Sequence, residues 1–329
     1  MKKLLLATAI AALSVSAAQA APTIYGKAFV TMDYVNTDNG NEDSDSVQIN
    51  SNSSRIGFKG SEAITANTDV IYQLEYGIDI DNDAKDNFKN RDTYLGLDNK
   101  TYGQFRFGHN QSTTDYVNNV LVSDAYFDNL SDFMADSGRV KNSVVWLAPK
   151  YQGLPLQIAA MYAADETSVE DSSDRNSGFG VSAMFDQGTG FTAGLAYDKD
   201  VNIKEGGDII RGSATVDLGK YMAAPVTLGA LYQVADYDAT PKDEKGLLVS
   251  AALGLSNFAK PASIYAQYNT TSNVGGEENV DADQIVVGGR YFYKENMIAH
   301  AYVGANTKEV PNFADQDAFA IGGGLEYKF

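Results

Sequence analysis

The chain has no cysteine, one tryptophan, two histidines and far fewer basic than acidic residues. Without cysteine, a chain of this length must fold without disulfide cross-links. The formal net charge of −18 excludes binding of nucleic acid through a basic surface. His109 and His300 are far apart in the sequence, and neither has a nucleophile motif or metal-ligand spacing beside it. The sequence therefore predicts no enzyme, no metal site and no cofactor.

Long apolar runs are also missing, apart from a short one at the start. Two lysines precede an apolar stretch from Leu4 to Val15, and Ala18-Gln19-Ala20 follows as a small-x-small cleavage site. This pattern predicts a secretory signal peptide over residues 1–20 and a mature domain over residues 21–329. Loss of two lysines with the leader leaves 23 basic and 43 acidic residues, a net charge of −20. No later segment reaches the about 18 apolar residues that a membrane helix needs.

What the mature chain does contain is alternation of apolar and polar residues, typical of strands with one apolar face. In TDVIYQLEYGIDI, Val70, Tyr72 and Leu74 share one face, while Gln73 and Glu75 share the other. The connections alternate between short turns and long acidic loops, of which VNTDNGNEDSDS is the first. Short turns at one end and long loops at the other favour an outer-membrane barrel. A soluble sandwich would mix both lengths at each end.

Aromatic residues recur at two heights of the predicted strands, as in the interfacial girdles of a membrane barrel. The upper set is Tyr34, Tyr76, Tyr162, Tyr197, Tyr232 and Tyr268, and the lower set is Phe58, Phe105, Trp146, Phe185, Tyr327 and Phe329. The last four upper tyrosines are 35, 35 and 36 residues apart, one hairpin each. At roughly 35 residues per hairpin, and with one unusually long connection, the mature chain is predicted to hold eight hairpins. The predicted fold class is all-β, a transmembrane antiparallel barrel of about sixteen strands around an aqueous channel.

Several stretches together resemble the general Gram-negative porin family over essentially the whole mature chain. They are TIYGKAFV, SSRIGFKGSE, NRDTYLGL, FRFGHN, GRVKNSVVWLAPKYQGL and the closing GLEYKF. The resemblance implies a sixteen-stranded barrel in the outer membrane, usually a homotrimer, that passively conducts ions and small hydrophilic solutes. It also implies contact with outer-membrane lipid and lipopolysaccharide. The last strand, with Tyr327 and Phe329, resembles the signal that the barrel assembly machinery reads.

The family narrows its pore with a long third loop, folded inward, whose acids face a ladder of arginines. Matched by motif, the ladder would be Arg55, Arg91 and Arg139, and alternation adds Arg106 to the inner face. The predicted basic pore wall is Arg55, Lys59, Arg91, Arg106, Arg139 and Lys141. Arg91 conflicts with strict alternation, because Leu95 and Leu97 share its parity and would then point inward. The alternative is that all of these are ordinary lumen charges that keep the channel hydrated.

The segment in the position of that loop, residues 111–138, lacks the short Pro-Glu-Phe-Gly-like motif common in the family. It carries an aspartate every four residues instead. With one further acid, the predicted constriction-loop set is Asp115, Asp124, Asp128, Asp132 and Asp136. On a helix the last four would form an acidic stripe, with an apolar stripe of Phe127, Leu130 and Phe133 or Met134. A solvated acidic loop is the alternative.

The acidic loops leave a second function open, because a surface adhesin or phage receptor would use the same loops and could coexist with a pore. They do not predict an EF-hand. Counting from Asp79, the sixth position is Ala84 rather than glycine, and the twelfth is Asn90 rather than glutamate. Divalent ions that bridge loop carboxylates to lipopolysaccharide stay a further alternative.

Overall fold

The computed structural model describes residues 21–40, 42–81, 87–120, 122–123, 125–127, 133–150, 153–164, 177–201 and 206–329. The predicted signal peptide, residues 1–20, lies outside the described residues. The described helices are three short 3-10 turns, Asp115–Val117, Leu218–Lys220 and Val274–Gly276. Within the described ranges, no helix is long and apolar enough to cross a membrane.

The alternating segments of the sequence form antiparallel strands that pair with their neighbours along the chain. The strands are β1 (Thr23–Asp38), β2 (Asp43–Ser51), β3 (Arg55–Ala63), β4 (Thr68–Ile78), β5 (Phe88–Asn99), β6 (Gly103–Gln111), β7 (Arg139–Leu147), β8 (Leu156–Ala163), β9 (Gly178–Asp186), β10 (Phe191–Lys199), β11 (Gly207–Asp217), β12 (Val226–Tyr237), β13 (Glu244–Leu255), β14 (Ala262–Ser272), β15 (Asp281–Lys294), β16 (Met297–Glu309) and β17 (Gln316–Lys328). Because β17 also pairs with β1, the sheet closes into a barrel.

Two of these segments, β2 and β3, are halves of one barrel strand. Both pair with β1: Ser51 of β2 lies opposite Val30, and Arg55 of β3 lies opposite Lys27. The strand is interrupted at Ser53, whose φ of 51° is incompatible with an extended backbone. Seventeen segments therefore form sixteen strands, which confirms the predicted fold class.

The two faces of the barrel are inverted relative to a soluble protein. In β1, Phe29 and Asp33 are buried on the inner face, whereas Met32 and Tyr34 point outward and are exposed. The same alternation places exposed leucine, isoleucine, valine and aromatic side chains around the outer surface of the other strands. Such a surface is stable in lipid, because the closed sheet pairs the backbone and the apolar side chains contact acyl chains.

The aromatic residues of both predicted heights contribute to that outer surface. Exposed members of the upper set are Tyr34, Tyr162, Tyr232 and Tyr268, and exposed members of the lower set are Phe58, Tyr327 and Phe329. Aromatic rings at these heights suit the two membrane interfaces, where an apolar ring with a polar edge meets both lipid and water.

The first long loop is shorter than its sequence predicts. The sequence predicts a loop over residues 35–46, whereas β1 continues to Asp38 and β2 begins at Asp43. Across this hairpin the Asn36 side-chain amide donates to the Asp43 carboxylate at 2.7 Å. Polar residues can continue a strand here because the hairpin extends past the apolar band, where side chains meet water instead of lipid.

Candidate functional site: the charged interior of the barrel

The described part of the segment between β6 and β7 (residues 112–120, 122–123, 125–127 and 133–138) lies inside the barrel against the inner face of β10 to β16. Ser213 of β11 donates a hydrogen bond to the backbone oxygen of Val117 at 2.5 Å. At the other end of the contact, the Gln284 side chain of β15 donates to the backbone oxygen of Phe127 at 2.6 Å. We call this segment the inner loop and β10 to β16 the anchoring wall.

Arg211 of β11 is the central anchor of the inner loop. Its side chain is completely buried, and its guanidinium donates to the backbone oxygen of Ala135 at 3.1 Å and to Asp136 at 3.3 Å. Its Nε donates to the side-chain oxygen of Gln233 at 2.7 Å. A buried guanidinium needs partners of this kind, because an uncompensated charge is costly inside a protein.

Asp198 of β10 anchors the start of the inner loop. It is completely buried and accepts a hydrogen bond from the hydroxyl of Thr113. The hydroxyl and the backbone N–H of Thr114 also donate to it, at 2.8 and 3.3 Å. Three donors therefore bind one carboxylate, and such charge-assisted hydrogen bonds are strong. They can form only if the loop lies close to the wall. Gly180 permits that approach, because a Cβ there would collide with both Asp198 and Thr113.

Glycines on the anchoring wall also make room for apolar side chains of the inner loop. A Cβ at Gly304 would collide with the Phe127 ring, and one at Gly246 would collide with Met134. Phe127, Phe133 and Met134, predicted as the apolar stripe of the loop, are all buried. The apolar side of the loop therefore packs against the wall.

The part of the barrel from β3 to β7 carries all four predicted arginines, Arg55, Arg91, Arg106 and Arg139, and we call it the open wall. Glu75 of β4 lies 2.7 Å from Nε of Arg91 and 3.8 Å from Nε of Arg55. Arg139 donates to Asp92 at 2.7 Å. The structure thus brings Arg55, Arg91 and Arg139 to the interior together with two acids that were not among the predicted site residues.

A bulge in β5 explains how Arg91 reaches the interior. Arg91 and Asp92 together lie opposite the single residue Glu75, because the pairing of β4 with β5 shifts at this point. An extra residue on one strand reverses the parity of everything beyond it. Leu95 and Leu97 consequently point outward, 61% and 39% exposed. The expectation that they would share the inner face with Arg91 is wrong.

Two further predicted cations lie over aromatic rings of the interior. The guanidinium of Arg106 is 4.8 Å from the ring centroid of Tyr94 and 3.4 Å from the hydroxyl of Tyr116 in the inner loop. The ammonium of Lys59 lies 5.0 Å from the ring centroid of Tyr25. A cation at this distance is attracted to the ring face by the ring quadrupole, which helps to hold each charge in place.

The other predicted charges fall into different surroundings. Lys141 is exposed and precedes Asn142, whose φ of 52° marks an irregularity in β7. Asp136 contacts Arg211, which places its carboxylate on the anchoring wall. Burial, together with Asp136, raises the pKa of Asp115 to about 7.

Asp124, Asp128 and Asp132 lie outside the described residues, as does Leu130. In the described part of the inner loop, helical structure is limited to the turn Asp115–Val117.

Sequence reasoning missed the acids that pair with the arginines and the residues that hold the loop. For Glu75 a signal existed, since alternation in TDVIYQLEYGIDI already places it on the inner face. For Asp92 no such signal existed, because the bulge decides its direction. Asp198 and Arg211 could be placed on inner faces by parity, but nothing in the sequence pairs them with a loop about 75 to 100 residues away.

The predicted assembly residues lie at the seam that closes the barrel. The backbone N–H of Phe329 donates to the oxygen of Gly26 at 3.1 Å, and the N–H of Gly26 donates to the oxygen of Phe329 at 2.9 Å. Tyr327 and Phe329 are 41% and 53% exposed, and their rings stack at 6.2 Å. The last residue is therefore paired with the first strand and presents its ring on the barrel surface.

Comparison with known proteins gives the same architecture. The family model described as Gram-negative porin matches residues 6–310. Outer membrane protein F of Serratia marcescens is 25% identical, with all of both chains covered, and outer membrane protein S2 of Salmonella typhi is 24% identical over 90% of each. The anion-selective porin from Comamonas acidovorans has a similar fold, with a TM-score of 0.76 and 16% identity over 94% of this chain and 99% of that one. The chain belongs to the Gram-negative porin family and is an outer-membrane channel rather than an enzyme.

Proposed function

We propose that the channel is a passive diffusion pore for ions and small hydrophilic solutes, narrowed by the inner loop. One observation carries the proposal: the loop is bonded along the anchoring wall, while Arg55, Arg91 and Arg139 project from the open wall. Solute then passes between a loop surface and a row of guanidinium groups. A polar, water-filled lumen of a sixteen-stranded barrel suits hydrophilic cargo.

We further propose that charges of opposite sign face each other across the narrowing, with Asp124, Asp128 and Asp132 supplying the acidic side. The net charge of −20 in the mature chain favours cations, but charges on external loops are screened beyond about 8 Å at physiological salt. Charges at the narrowing act at shorter range and in a lower effective dielectric. The pore would be weakly ion-selective and would prefer polar solutes that can orient in the transverse field.

The test is the zero-current potential of the refolded protein in a planar bilayer under a salt gradient. Replacing Asp128 and Asp132 with Asn should shift it toward anion preference, and replacing Arg55 and Arg139 with Gln should shift it toward cation preference. The control neutralises three acids of the first hairpin, Glu42, Asp43 and Asp45. A larger shift from this control than from the inner-loop variant would contradict the transverse field.

We also propose that residues 1–20 are removed on export and that the mature barrel is a homotrimer embedded among outer-membrane lipid and lipopolysaccharide. Intact mass of protein purified from outer membranes tests the first point, since a mature chain should begin at Ala21. The number of conductance steps per insertion tests the second, with three equal steps expected. A single step at every insertion would contradict the trimer.

Recognition of the last strand by the barrel assembly machinery is the final part of the proposal. Phe329→Asp should leave synthesis and export intact but lower the amount of folded protein in the outer membrane, because it removes the ring and adds a charge at the membrane interface. Phe313→Asp is the matched control, since Phe313 is 75% exposed in the connection before β17. Equal outer-membrane yields of the two variants would show that the terminus is an ordinary strand end.

A further inference from the structure

Glu244, the first residue of β13, is a buried carboxylate that plays no part in the proposed permeation path. It is 2% exposed, and its oxygens accept hydrogen bonds from three segments of the chain. Oε1 accepts from the backbone N–H of Ala135 in the inner loop at 2.6 Å. Oε2 accepts from the backbone N–H of Gly275 at 2.8 Å and from the hydroxyl of Tyr237 at 3.0 Å. One side chain therefore joins the inner loop to the connection between β14 and β15, residues 273–280, which we call the outer loop.

The residue type at position 244 suits the two backbone N–H groups that it joins. An ionised carboxylate accepts hydrogen bonds at both of its oxygens, whereas a side-chain amide has only one accepting oxygen. Burial of a charge is costly unless donors surround it, and hydrogen bonds to a charged acceptor are strong. Glutamate can therefore hold both loops at once, whereas glutamine could hold only one of them.

Hydrogen bonds within the outer loop restrain its shape. The backbone N–H of Val274 donates to the backbone oxygen of Val280 at 2.6 Å. The backbone N–H of Asn279 donates to the side-chain oxygen of Asn273 at 3.1 Å. Because these bonds connect the two ends of the loop, a displacement of its exposed tip is transmitted to Gly275 rather than absorbed within the loop.

The outer loop also contacts the connection between β12 and β13, which leads directly into Glu244. The side-chain amide of Asn273 donates to the backbone oxygen of Asp243 at 3.1 Å. Nearby, Lys242 and Glu278 form an exposed ion pair at 3.0 Å. The outer loop therefore acts on Glu244 both directly and through the residue that precedes it in the chain.

On the inner side, hydrogen bonds hold the backbone of Ala135 from two directions. Its N–H donates to Glu244. Its carbonyl oxygen accepts from the side-chain amide of Gln233 at 2.6 Å and from the guanidinium of Arg211 at 3.1 Å. Loss of the bond to Glu244 leaves this backbone held from one direction only, so the end of the inner loop becomes more mobile.

We propose that Glu244 couples the outer loop to the inner loop, so that a molecule bound to the outer loop changes conduction through the pore. The proposal rests on the proposed function, in which the inner loop narrows the pore. In the linked state, the carboxylate accepts from Ala135 and Gly275 together. When the outer loop is displaced, the carboxylate cannot keep both bonds, and the inner loop is released. The coupling is reciprocal, because a contact that favours one position of either loop favours the matching position of the other.

The experiment attaches a large protein to the outer loop, which is straightforward because the chain has no native cysteine. Glu277→Cys, at an exposed position of the outer loop, is labelled with biotin maleimide and then bound by streptavidin. We expect streptavidin to raise single-channel current noise and to speed amide deuterium exchange at Ala135 about tenfold. Asp315→Cys is the matched control, because it removes the same charge from an exposed position between β16 and β17. Streptavidin bound there should change neither readout.

Glu244→Gln, combined with the label at position 277, tests whether the effect passes through this side chain. Streptavidin should then change neither the noise nor the exchange, each compared with the same variant before streptavidin is added. Tyr237→Phe is the control for this substitution, because it removes one donor to Glu244 and leaves both loop bonds intact. It should respond to streptavidin as the chain with native Tyr237 does. An equal response in Glu244→Gln would overturn the coupling.

Deuterium exchange separates the coupling from the pore function. If the channel conducts no ions, the pore function fails, while the exchange at Ala135 still decides the coupling. If Glu244→Gln does not fold, the two labelled positions in the otherwise native chain decide it. Equal exchange at Ala135 with streptavidin at position 277 and at position 315 would then overturn the proposal.

Discussion

The two walls of the barrel interior use the same residue types for different purposes. On the anchoring wall, Arg211 and Asp198 are completely buried and form hydrogen bonds with the inner loop. On the open wall, the side chains of Arg55 and Arg91 are 29% and 19% exposed and pair with a wall acid, Glu75. An inward-facing arginine is therefore not by itself a pore-lining charge. What distinguishes the two kinds is whether the inner loop covers the side chain.

The difference also sets how much each charge contributes to stability. Removing one partner of a buried charged network costs about 3–5 kcal/mol, because the other partner stays buried and unpaired. Partly exposed pairs contribute about 0–1 kcal/mol. Variants of the anchoring wall should therefore affect the fold of the loop, and variants of the open wall should affect permeation.

The largest effect is expected from Arg211→Met on the anchoring wall. It removes the donors to Ala135 and Asp136 and should destabilise the loop attachment by about 3–5 kcal/mol. We expect a lower temperature for conversion of the folded to the unfolded band on electrophoresis, and larger, noisier single-channel currents. Lys199→Gln, which breaks a partly exposed pair with Asp208, is the control and should change neither. Wild-type behaviour of Arg211→Met would refute the anchoring role.

The next largest effect is expected from Gly304→Ala, which places a Cβ against the Phe127 ring of the inner loop. Overpacking of this kind costs about 1–3 kcal/mol, so the folded band should convert at a lower temperature and channel noise should rise. Gly289→Ala is the matched control, because the nearest atom to its Cβ is 3.5 Å away. Equal thermal midpoints for the two variants would mean that the packing of Phe127 against Gly304 does not stabilise the inner loop.

On the open wall, Glu75→Gln should act mainly on permeation and lower the thermal midpoint less than Arg211→Met, because Glu75 is buried but its partners Arg55 and Arg91 keep contact with solvent. It removes the carboxylate shared by Arg55 and Arg91, so the anion-to-cation permeability ratio should rise by about threefold. The zero-current potential in a salt gradient measures this ratio. Glu309→Gln removes the same charge from an exposed position at the end of β16 and should have little effect. A loss of stability in Glu75→Gln as large as that in Arg211→Met would contradict the different roles of the two walls.

The smallest effect is expected from pH, through Asp115, which lies between the walls. Burial and Asp136 raise its pKa to about 7, while Arg211 and Arg139 lower it and Asp92 raises it. Asp115 is therefore neutral below that pH and ionised above it. Because the folded state holds this proton more tightly than the unfolded state, the contribution of Asp115 to stability is fully present below the ordinary pKa of an aspartate and is lost as the pH rises from there to about 7.

Ionisation of Asp115 also adds a negative charge inside the pore. As the pH rises from one unit below to one unit above the pKa of Asp115, the zero-current potential should move toward cation preference. Asp115→Asn should lose this part of the pH dependence while keeping its conductance. An unchanged pH profile in Asp115→Asn would assign the effect to other acids of the pore.

The barrel itself could be predicted because alternation is a local property of the backbone. The two faces of β1 and the exposed aromatics follow from a side-chain period of two, and the number of strands follows from the roughly 35-residue spacing of the tyrosines. The prediction failed where alternation is uninformative. Residues 36–46 are polar on both faces, so nothing in their pattern distinguishes a loop from a strand that has left the apolar band.

In regular stretches of strand the sequence alone determined which side chains face the interior and which face lipid, because parity along a strand needs no partner. It did not do so at the bulge in β5, which turns both Arg91 and Asp92 toward the interior and reverses the parity beyond them. Only the closed barrel decided which charges meet: Glu75 with Arg91 and Arg55, and Asp136 with Arg211. Pairing depends on strand register, closure and the path of the inner loop, and these are set by contacts between residues far apart in the chain. The side-chain period along one strand therefore cannot predict these contacts.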